Sequence, residues 1–291
     1  MKNLFFVTGF ARSGTTLLAT LLGRNADVCA TPETCFFEHI YRRKGQPTLS
    51  SIENSRFYQD LNLSISSNLD FSSYRNLFVS GLKAFNQNNK KIIIEKSPHH
   101  LAFLPSIFHE FPNTKVIVII RDPRDIFCSL RDVEWAHSSP LRHAAEWSAR
   151  HSQLIKLESV YPDNIFITKY EDLIQEPHNE LTRICKYLGL SFQQQMLEST
   201  STTTVPEWEK SWKDKVKKPI DRTRIGRYRE VLDERDVAII NSIAKEAIHF
   251  KYTIEIGKTS PITQFAALML KSNAYRNLRL FIRRRRFYDN I

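Results

Sequence analysis

Short apolar runs without polar alternation recur along the first two thirds of the chain, and they predict strands. They are residues 4–8, 92–94, 116–120 and 165–168. Such an uninterrupted run is typical of a parallel strand that is buried on both faces. Stretches with apolar residues at helical intervals follow these runs, at residues 15–22, 123–133, 141–160 and 181–188. The alternation predicts an α/β fold, doubly wound around a mainly parallel sheet of about four to five strands.

The remaining segments are predicted to complete one domain over residues 1–257 and to add a tail. Residues 40–90 are polar and rich in Ser and Asn, and we expect a helical excursion on the substrate side. Residues 233–250 have the spacing of another amphipathic helix. Residues 258–291 are predicted to form a basic, amphipathic C-terminal tail.

Charge and cysteine content narrow the class of protein. The formal net charge is +11, and residues 258–291 hold eight Lys and Arg residues against one acidic residue. The modest excess elsewhere suits an enzyme with a small polyanionic ligand better than a nucleic-acid-binding protein. The four cysteines have no CxxC spacing, so we expect buried thiols and no zinc site. Without an apolar run of spanning length or a cleavable signal, the predicted location is cytoplasmic.

A phosphate-binding loop is predicted at residues 9–16, GFARSGTT, between the first strand and the first helix. Such a loop turns backbone N–H groups and a helix N-terminus toward an anion. Nucleoside-triphosphate enzymes place a lysine after the second glycine, where this chain has Thr15. The cation is Arg12, inside the loop, and Asp122 lies between Arg121 and Arg124 instead of offering a magnesium ligand. The pattern favours a mononucleotide without metal-assisted phosphoryl transfer.

Two motifs resemble those of sulfotransferases that use 3′-phosphoadenosine 5′-phosphosulfate (PAPS). FFVTGFARSGTTLLATLL resembles the family's 5′-phosphosulfate loop, with Arg12 at the position of its loop Lys or Arg. VIVIIRDPRDIFCSL is similar to the 3′-phosphate motif, with Arg121 ending a strand and Ser129 eight residues later. YEDL at residues 170–173 fits as well, and RIGRYREVL at residues 224–232 fits loosely. The resemblance covers roughly residues 3–232.

The resemblance implies in-line sulfuryl transfer from PAPS to a hydroxyl acceptor, with 3′-phosphoadenosine 5′-phosphate (PAP) as product and no metal. It assigns Arg12, Ser13, Gly14, Thr15 and Thr16 to the 5′-phosphate. The 3′-phosphate would be bound by Arg121 and Ser129, with Arg224 and Gly226 in a further loop. Tyr170 would stack on adenine, although core packing explains this tyrosine nearly as well.

The acceptor hydroxyl needs a general base. In the family's phenol and steroid enzymes a histidine lies two residues after a strand-end lysine, but here KSPHH puts Pro98 two residues after Lys96. TPET at residues 31–34 resembles the GEET element of tyrosylprotein sulfotransferases and matches its second glutamate to Glu33. We therefore favour Glu33 as the base and keep His99 as the alternative. Lys96 would then assist the leaving group or the sulfuryl oxygens, with a plain surface lysine as the alternative.

Two other function classes remain open at this stage, as do the partners. A P-loop kinase or nucleotide hydrolase is opposed by Thr15, and a non-enzymatic anion- or RNA-binding protein would depend on the basic tail. The acceptor is left open among glycan, lipid, peptide and small metabolite, and so is the oligomeric state. Apolar residues interleaved with cations over residues 265–286 predict a helix that either contacts an anionic membrane or packs on its own domain.

Overall fold

The computed structural model describes residues 3–41, 45–133, 138–198, 221–255 and 260–272. Internal contacts divide the chain into two compact units. The first comprises Met1–Ile120 and Val160–Arg222, and the second comprises Arg121–Ser159 and Thr223–Ile291. The division at residue 257 that the sequence suggested stays a prediction.

A five-stranded sheet forms the centre of the first unit, and every pairing in it is parallel. Its strands, in the order β2-β3-β1-β4-β5, are β1 (Leu4–Gly9), β2 (Val28–Ala30), β3 (Ile92–Lys96), β4 (Lys115–Ile120) and β5 (Ile165–Lys169). All of β1 and all of β4 except its first residue are buried. The α/β class and the parallel sheet are thus confirmed. Strand β2 escaped the pattern because three residues are too few to show a period.

Helices connect the strands and make up most of the described part of the second unit. In chain order they are α1 (Thr15–Gly23), α2 (Phe36–His39), α3 (Leu49–Ile52), α4 (Arg56–Asp60), α5 (Tyr74–Phe85), α6 (Leu104–Glu110), α7 (Pro123–Arg131), α8 (Pro140–Val160), α9 (Tyr170–Gln175), α10 (Pro177–Leu188), α11 (Tyr228–Val231), α12 (Glu234–Ile243) and α13 (Pro261–Lys271). The polar excursion contains α3, α4 and α5, so it is helical as expected. Of the described helices, none combines the length and the apolar composition needed to cross a bilayer.

A buried aromatic cluster attaches the polar excursion to the sheet. Phe36 packs against Phe57 of α4 and Phe78 of α5, with ring centroids 4.9 and 4.6 Å apart, and Phe78 stacks on Phe6 of β1. Gly81 has to lack a side chain, because a Cβ there would lie 2.3 Å from the Phe57 ring. Burial of aromatic rings is a large apolar contribution to stability. The same aromatic packing fixes the position of α4, and therefore that of Arg56, its first residue.

The predicted helix over residues 233–250 is too long. Helix α12 ends at Ile243, and after Ala244 the chain forms a separate 3-10 turn over Lys245–Ala247. In that turn, both carboxylate oxygens of Glu246 accept hydrogen bonds at 2.5 Å, from the hydroxyls of Ser148 and Ser152 on α8. A tertiary contact has taken precedence over the local helical periodicity.

Candidate active site

The loop between β1 and α1 is held in an unusual backbone conformation. Gly9 packs so closely on β4 that a Cβ there would lie 2.3 Å from the carbonyl oxygen of Ile119. Arg12 and Gly14 both have positive φ, at 71° and 102°. A Cβ on Gly14 would lie 2.6 Å from the ring of Tyr170, so that tyrosine lies against the loop. A non-glycine residue with positive φ costs free energy and often marks a functional site.

Polar groups of this loop fit an anion. Gly14 is the N-cap of α1 and gives the helix no side-chain cap, which leaves first-turn N–H groups such as those of Thr15 and Thr16 available. Ser13 is fully buried, and its hydroxyl has no hydrogen-bond partner in the part of the chain that the structure describes. A buried hydroxyl without a partner is costly, and an oxyanion would supply the missing acceptor.

Glu33 and Lys96 form a buried ion pair beside this loop. The Lys96 ammonium nitrogen Nζ lies 2.9 Å from Glu33 Oε1 and 3.5 Å from the hydroxyl of Thr16 in the first turn of α1. The Lys96 side chain is 5% exposed and that of Glu33 10%, which excludes a solvated surface lysine. Residues 63 positions apart in the sequence thus bring a carboxylate, an ammonium group and the phosphate loop together.

Arg56 completes the surroundings of Glu33, and the sequence did not point to it. Its guanidinium lies 3.4 Å from Glu33 Oε2 and 3.2 Å from a carboxylate oxygen of Asp60. The two oxygens of Glu33 therefore face two different cations. Arg56 belongs to no motif, and the packing of its neighbour Phe57 among buried rings, together with its ion pair to Asp60, holds it in this position.

The two histidines that follow Lys96 have different environments. His99 is 36% exposed at its side chain and lies 3.8 Å from Glu38. His100 is fully buried, its Nδ1 is 2.8 Å from Glu95, and its Nε2 accepts the N–H of Phe37 at 3.2 Å. An Nε2 that accepts leaves the proton on Nδ1, so His100 donates to Glu95. His100 is therefore a buried residue that uses both ring nitrogens within the described structure.

The 3′-phosphate motif lies in the second unit and is organised by its acidic residues. Arg121 is 4% exposed and donates to the carbonyl of Arg224 at 2.8 Å. Ser129, also 4% exposed, lies on α7. Asp125 accepts the N–H of Gly226 at 2.7 Å, and that glycine has φ 75°. The Gly226 N–H is thus occupied, and the glycine serves to shape its loop.

Asp122 and Arg124 form a buried ion pair at the start of α7. Asp122 caps α7 by accepting the N–H of Arg124, and it also takes two hydrogen bonds from the Arg124 guanidinium at 2.9 and 2.7 Å. The guanidinium lies over the ring of Tyr228, 4.0 Å from its centroid. Burial lowers the pKa of Arg124, but the bonds and charge of Asp122 outweigh that effect and raise the pKa overall.

The threonines at positions 202–204 and the tail arginines at positions 283–286 lie outside the described residues.

Comparisons with known proteins agree with the two motifs. The model of the sulfotransferase family matches residues 5–194. A Caenorhabditis briggsae protein provisionally named a protein-tyrosine sulfotransferase is 28% identical over 201 residues, which are 67% of this chain and 69% of that protein. The sulfotransferase domain of a Synechococcus olefin synthase has a similar fold, with a TM-score of 0.60 at 19% identity over 87% of this chain and 95% of that one. A mouse sulfotransferase crystallised with PAP has a TM-score of 0.51 at 13% identity, over 87% and 90%.

Proposed function

Because this chain belongs to the sulfotransferase family and is a sulfuryl-transferring enzyme, we propose that its donor is PAPS and its acceptor a hydroxyl group. The mouse sulfotransferase of similar fold was crystallised with PAP, the product that PAPS leaves behind. The family match disfavours the kinase, hydrolase and RNA-binding alternatives. The proposed reaction uses no metal, and a cytoplasmic location stays a prediction.

The phosphate loop fits the 5′ end of this donor. The Ser13 hydroxyl, which has no hydrogen-bond partner among the described residues, and the uncapped start of α1 offer hydrogen bonds to an anion, and Gly14 lets the backbone approach closely. PAPS, when bound, supplies a sulfuryl group activated by its 5′-phosphate. Arg12 and the N–H groups of the loop would bind that phosphate and stabilise the negative charge that develops on it.

The proposal depends most on the position of Lys96. It contacts the Glu33 carboxylate at 2.9 Å and the Thr16 hydroxyl at 3.5 Å, so it links the proposed base to the loop that would bind the donor. Glu33 would accept the proton of the acceptor hydroxyl, which increases the nucleophilicity of the oxygen. Lys96 would stabilise charge on the leaving side. His99 is the weaker candidate because its side chain is 36% exposed and lies beside Glu38.

Further residues would bind the 3′-phosphate and the adenosine. Arg121 and Ser129 are proposed to bind the 3′-phosphate, since a guanidinium held by the carbonyl of Arg224 presents its other N–H groups in a fixed direction. Gly226 would give the neighbouring loop its shape. Tyr170 keeps two proposed roles, packing on Gly14 and contact with adenine.

The acceptor class to test first is a tyrosine hydroxyl in a peptide, since the Caenorhabditis briggsae relative is named for that acceptor. The full chain would be incubated with labelled PAPS and one acceptor each of peptide tyrosine, glycan, lipid and small-metabolite type. We expect label transfer to one class, unchanged by EDTA. Failure of every acceptor, or transfer of phosphate from ATP in magnesium, would refute the proposal.

Arg12→Ala is the variant that tests the donor site. Loss of one group that stabilises transition-state charge costs about two to three orders of magnitude in rate. Arg183→Ala is the matched control, because Arg183 is 61% exposed, pairs with Glu180 on its own helix and lies over the ring of Phe166, away from the phosphate loop. Equal turnover of the two variants would contradict the assignment of the loop.

A second proposal concerns helix α13, whose outer face suits contact with an anionic membrane surface. Ile262, Phe265, Leu268 and Met269 are 81%, 65%, 65% and 55% exposed, whereas Ala267 is buried on the opposite side. Lys271 is held inward by the carbonyl of Ile243 at 3.2 Å. The sequence after α13 is rich in arginine. Apolar side chains beside many cations favour an anionic lipid surface over a neutral one.

Sedimentation of the full chain with vesicles tests this second proposal. We expect binding to vesicles that contain phosphatidylserine at low salt, and loss of binding in Phe265→Gln/Met269→Gln. Gln264→Ala is the control on the same helix. Equal binding to neutral vesicles, or no effect of the double substitution, would contradict the proposal.

A further inference from the structure

The ion pair of Glu33 and Lys96 is adjoined by a second, fully buried pairing. Glu95 and Lys96 are successive residues of β3, opposite Phe6 and Val7 of β1, so their side chains point to opposite faces of the sheet. Glu33 and Thr34 are likewise successive residues in the segment that leaves β2. Lys96 binds Glu33, and Glu95 accepts the hydroxyl of Thr34 at 2.7 Å. Glu33 and Lys96, the proposed catalytic pair, are thus next in sequence to Thr34 and Glu95, which form the buried pairing.

Glu95 also bonds to Ser97 and His100, and these two side chains hold the backbone that follows Glu33. Its Oε1 accepts the hydroxyl of Ser97 at 2.6 Å, and its Oε2 lies 2.8 Å from Nδ1 of His100. Ser97 Oγ in turn accepts the N–H of Cys35 at 3.0 Å, and His100 Nε2 accepts the N–H of Phe37 at 3.2 Å. In the described contacts, the N–H groups of Cys35 and Phe37 therefore donate to Ser97 and His100. Both of these side chains are hydrogen-bonded to Glu95.

The loop needs such support. Cys35 has φ 49°, in the left-handed region that an ordinary L residue adopts only when its surroundings hold it there. Ion pairs made by long side chains do not fix the backbone, whereas hydrogen bonds to the main chain do. Burial opposes ionisation of Glu95, but the interaction with His100 and the hydrogen bonds from His100, Ser97 and Thr34 outweigh it and lower the pKa of Glu95.

We propose that Glu95, through Thr34, Ser97 and His100, is a positioning residue that fixes the Glu33 carboxylate in register with Lys96. The inference rests on the proposed role of Glu33 as the base. A displacement of about 1 Å in a reacting group is enough to cost up to a hundredfold in rate. Weakening the hydrogen bonds of Glu95 should therefore lower turnover and leave the donor site unchanged.

Thr34→Val and Thr34→Ser form the deciding pair. Valine keeps the shape of threonine and loses the hydroxyl that Glu95 accepts, whereas serine keeps it. We expect kcat to fall about tenfold in Thr34→Val and to stay near wild type in Thr34→Ser, since misplacement of a base lowers kcat and leaves donor affinity unchanged. Ser97→Ala, which removes the bonds to Glu95 and Cys35, should show the same loss of kcat. The affinity for PAP should stay within about twofold in all three.

Thr114→Val controls for general destabilisation. Thr114 also donates a buried hydroxyl hydrogen bond, to the carbonyl of Leu4 at 2.6 Å, but it lies at the amino end of the sheet. It should lower Tm like Thr34→Val and leave kcat unchanged. An equal kcat loss in Thr114→Val, or equal kcat in Thr34→Val and Thr34→Ser, would overturn the positioning role. Glu33→Gln is measured in parallel: if it retains full turnover, the base assignment itself is wrong.

Discussion

The segment after Glu33 and the loop at Gly226 are both held by a buried carboxylate, yet the two carboxylates have different surroundings. Glu95 receives hydroxyl and imidazole donors, and its pKa is lowered although burial opposes this. Asp125 receives the N–H groups of Gly226 and Tyr228, but burial outweighs them, the charge of Asp122 adds to it, and the pKa is raised. The partners of a buried carboxylate thus decide whether its charge is compensated.

The first prediction addresses the acceptor side, where the largest effect is expected. Glu33→Gln should lower kcat by about two to four orders of magnitude, because the amide cannot accept the acceptor proton. The affinity for PAP should not change. Single-turnover kinetics and calorimetric titration with PAP measure the two quantities. His99→Gln is the comparison variant, and a larger loss there than in Glu33→Gln would move the base to His99.

The second prediction addresses the nucleotide side. Asp125→Asn should weaken PAP binding by about tenfold to a hundredfold, because a neutral amide accepts poorly from two backbone N–H groups and the Gly226 loop loses its support. Turnover at saturating PAPS should fall much less. Asp233→Asn is the control, since asparagine caps α12 as well as aspartate does. If Asp125→Asn lowered kcat and spared PAP binding, the contrast between the two regions would fail.

The third prediction concerns Arg56, which binds the oxygen of Glu33 that Lys96 does not. Arg56→Gln should lower kcat by about tenfold, the order expected for loss of one charge-assisted hydrogen bond. Arg56→Lys should restore part of it, because the charge returns without the planar guanidinium. The pH profile of kcat separates this role from simple packing. A profile that is identical in all three proteins would remove Arg56 from the acceptor side.

The smallest effect expected is on the pH dependence of stability, with opposite signs in the two regions. The lowered pKa of Glu95 means that its ionised form stabilises the fold above the ordinary glutamate pKa, and this is lost as pH falls through the folded value. The raised pKa of Asp125 means that its contribution is present below the ordinary aspartate pKa and is lost as pH rises through the folded value.

Urea unfolding of Glu95→Gln, Asp125→Asn and the wild type between about pH 3 and pH 7 checks the signs. The stability advantage of the wild type over Glu95→Gln should shrink as pH falls. Its advantage over Asp125→Asn should shrink as pH rises. Parallel curves for both variants would contradict the different charge compensation in the two regions.

The sequence alone determined the elements whose signals are local. Continuous apolar runs predicted the long strands, because a parallel strand buried on both faces has no polar alternation. The phosphate loop was recognisable because close approach at Gly9 and positive φ at Gly14 require those residue types. Arg121 could be placed at the end of a strand because the continuous apolar run over residues 116–120 directly precedes it.

Only the tertiary structure decided which distant side chains meet. Lys96 was expected to assist the reaction, but its contact with Glu33 depends on β2 lying beside β3, and three residues carry too little pattern to predict that. Arg56 and Glu95 belong to no motif. Arg56 is positioned by aromatic packing and Glu95 by hydrogen bonds to a neighbouring loop. Such contacts form between elements remote in sequence, where neither periodicity nor residue spacing records them.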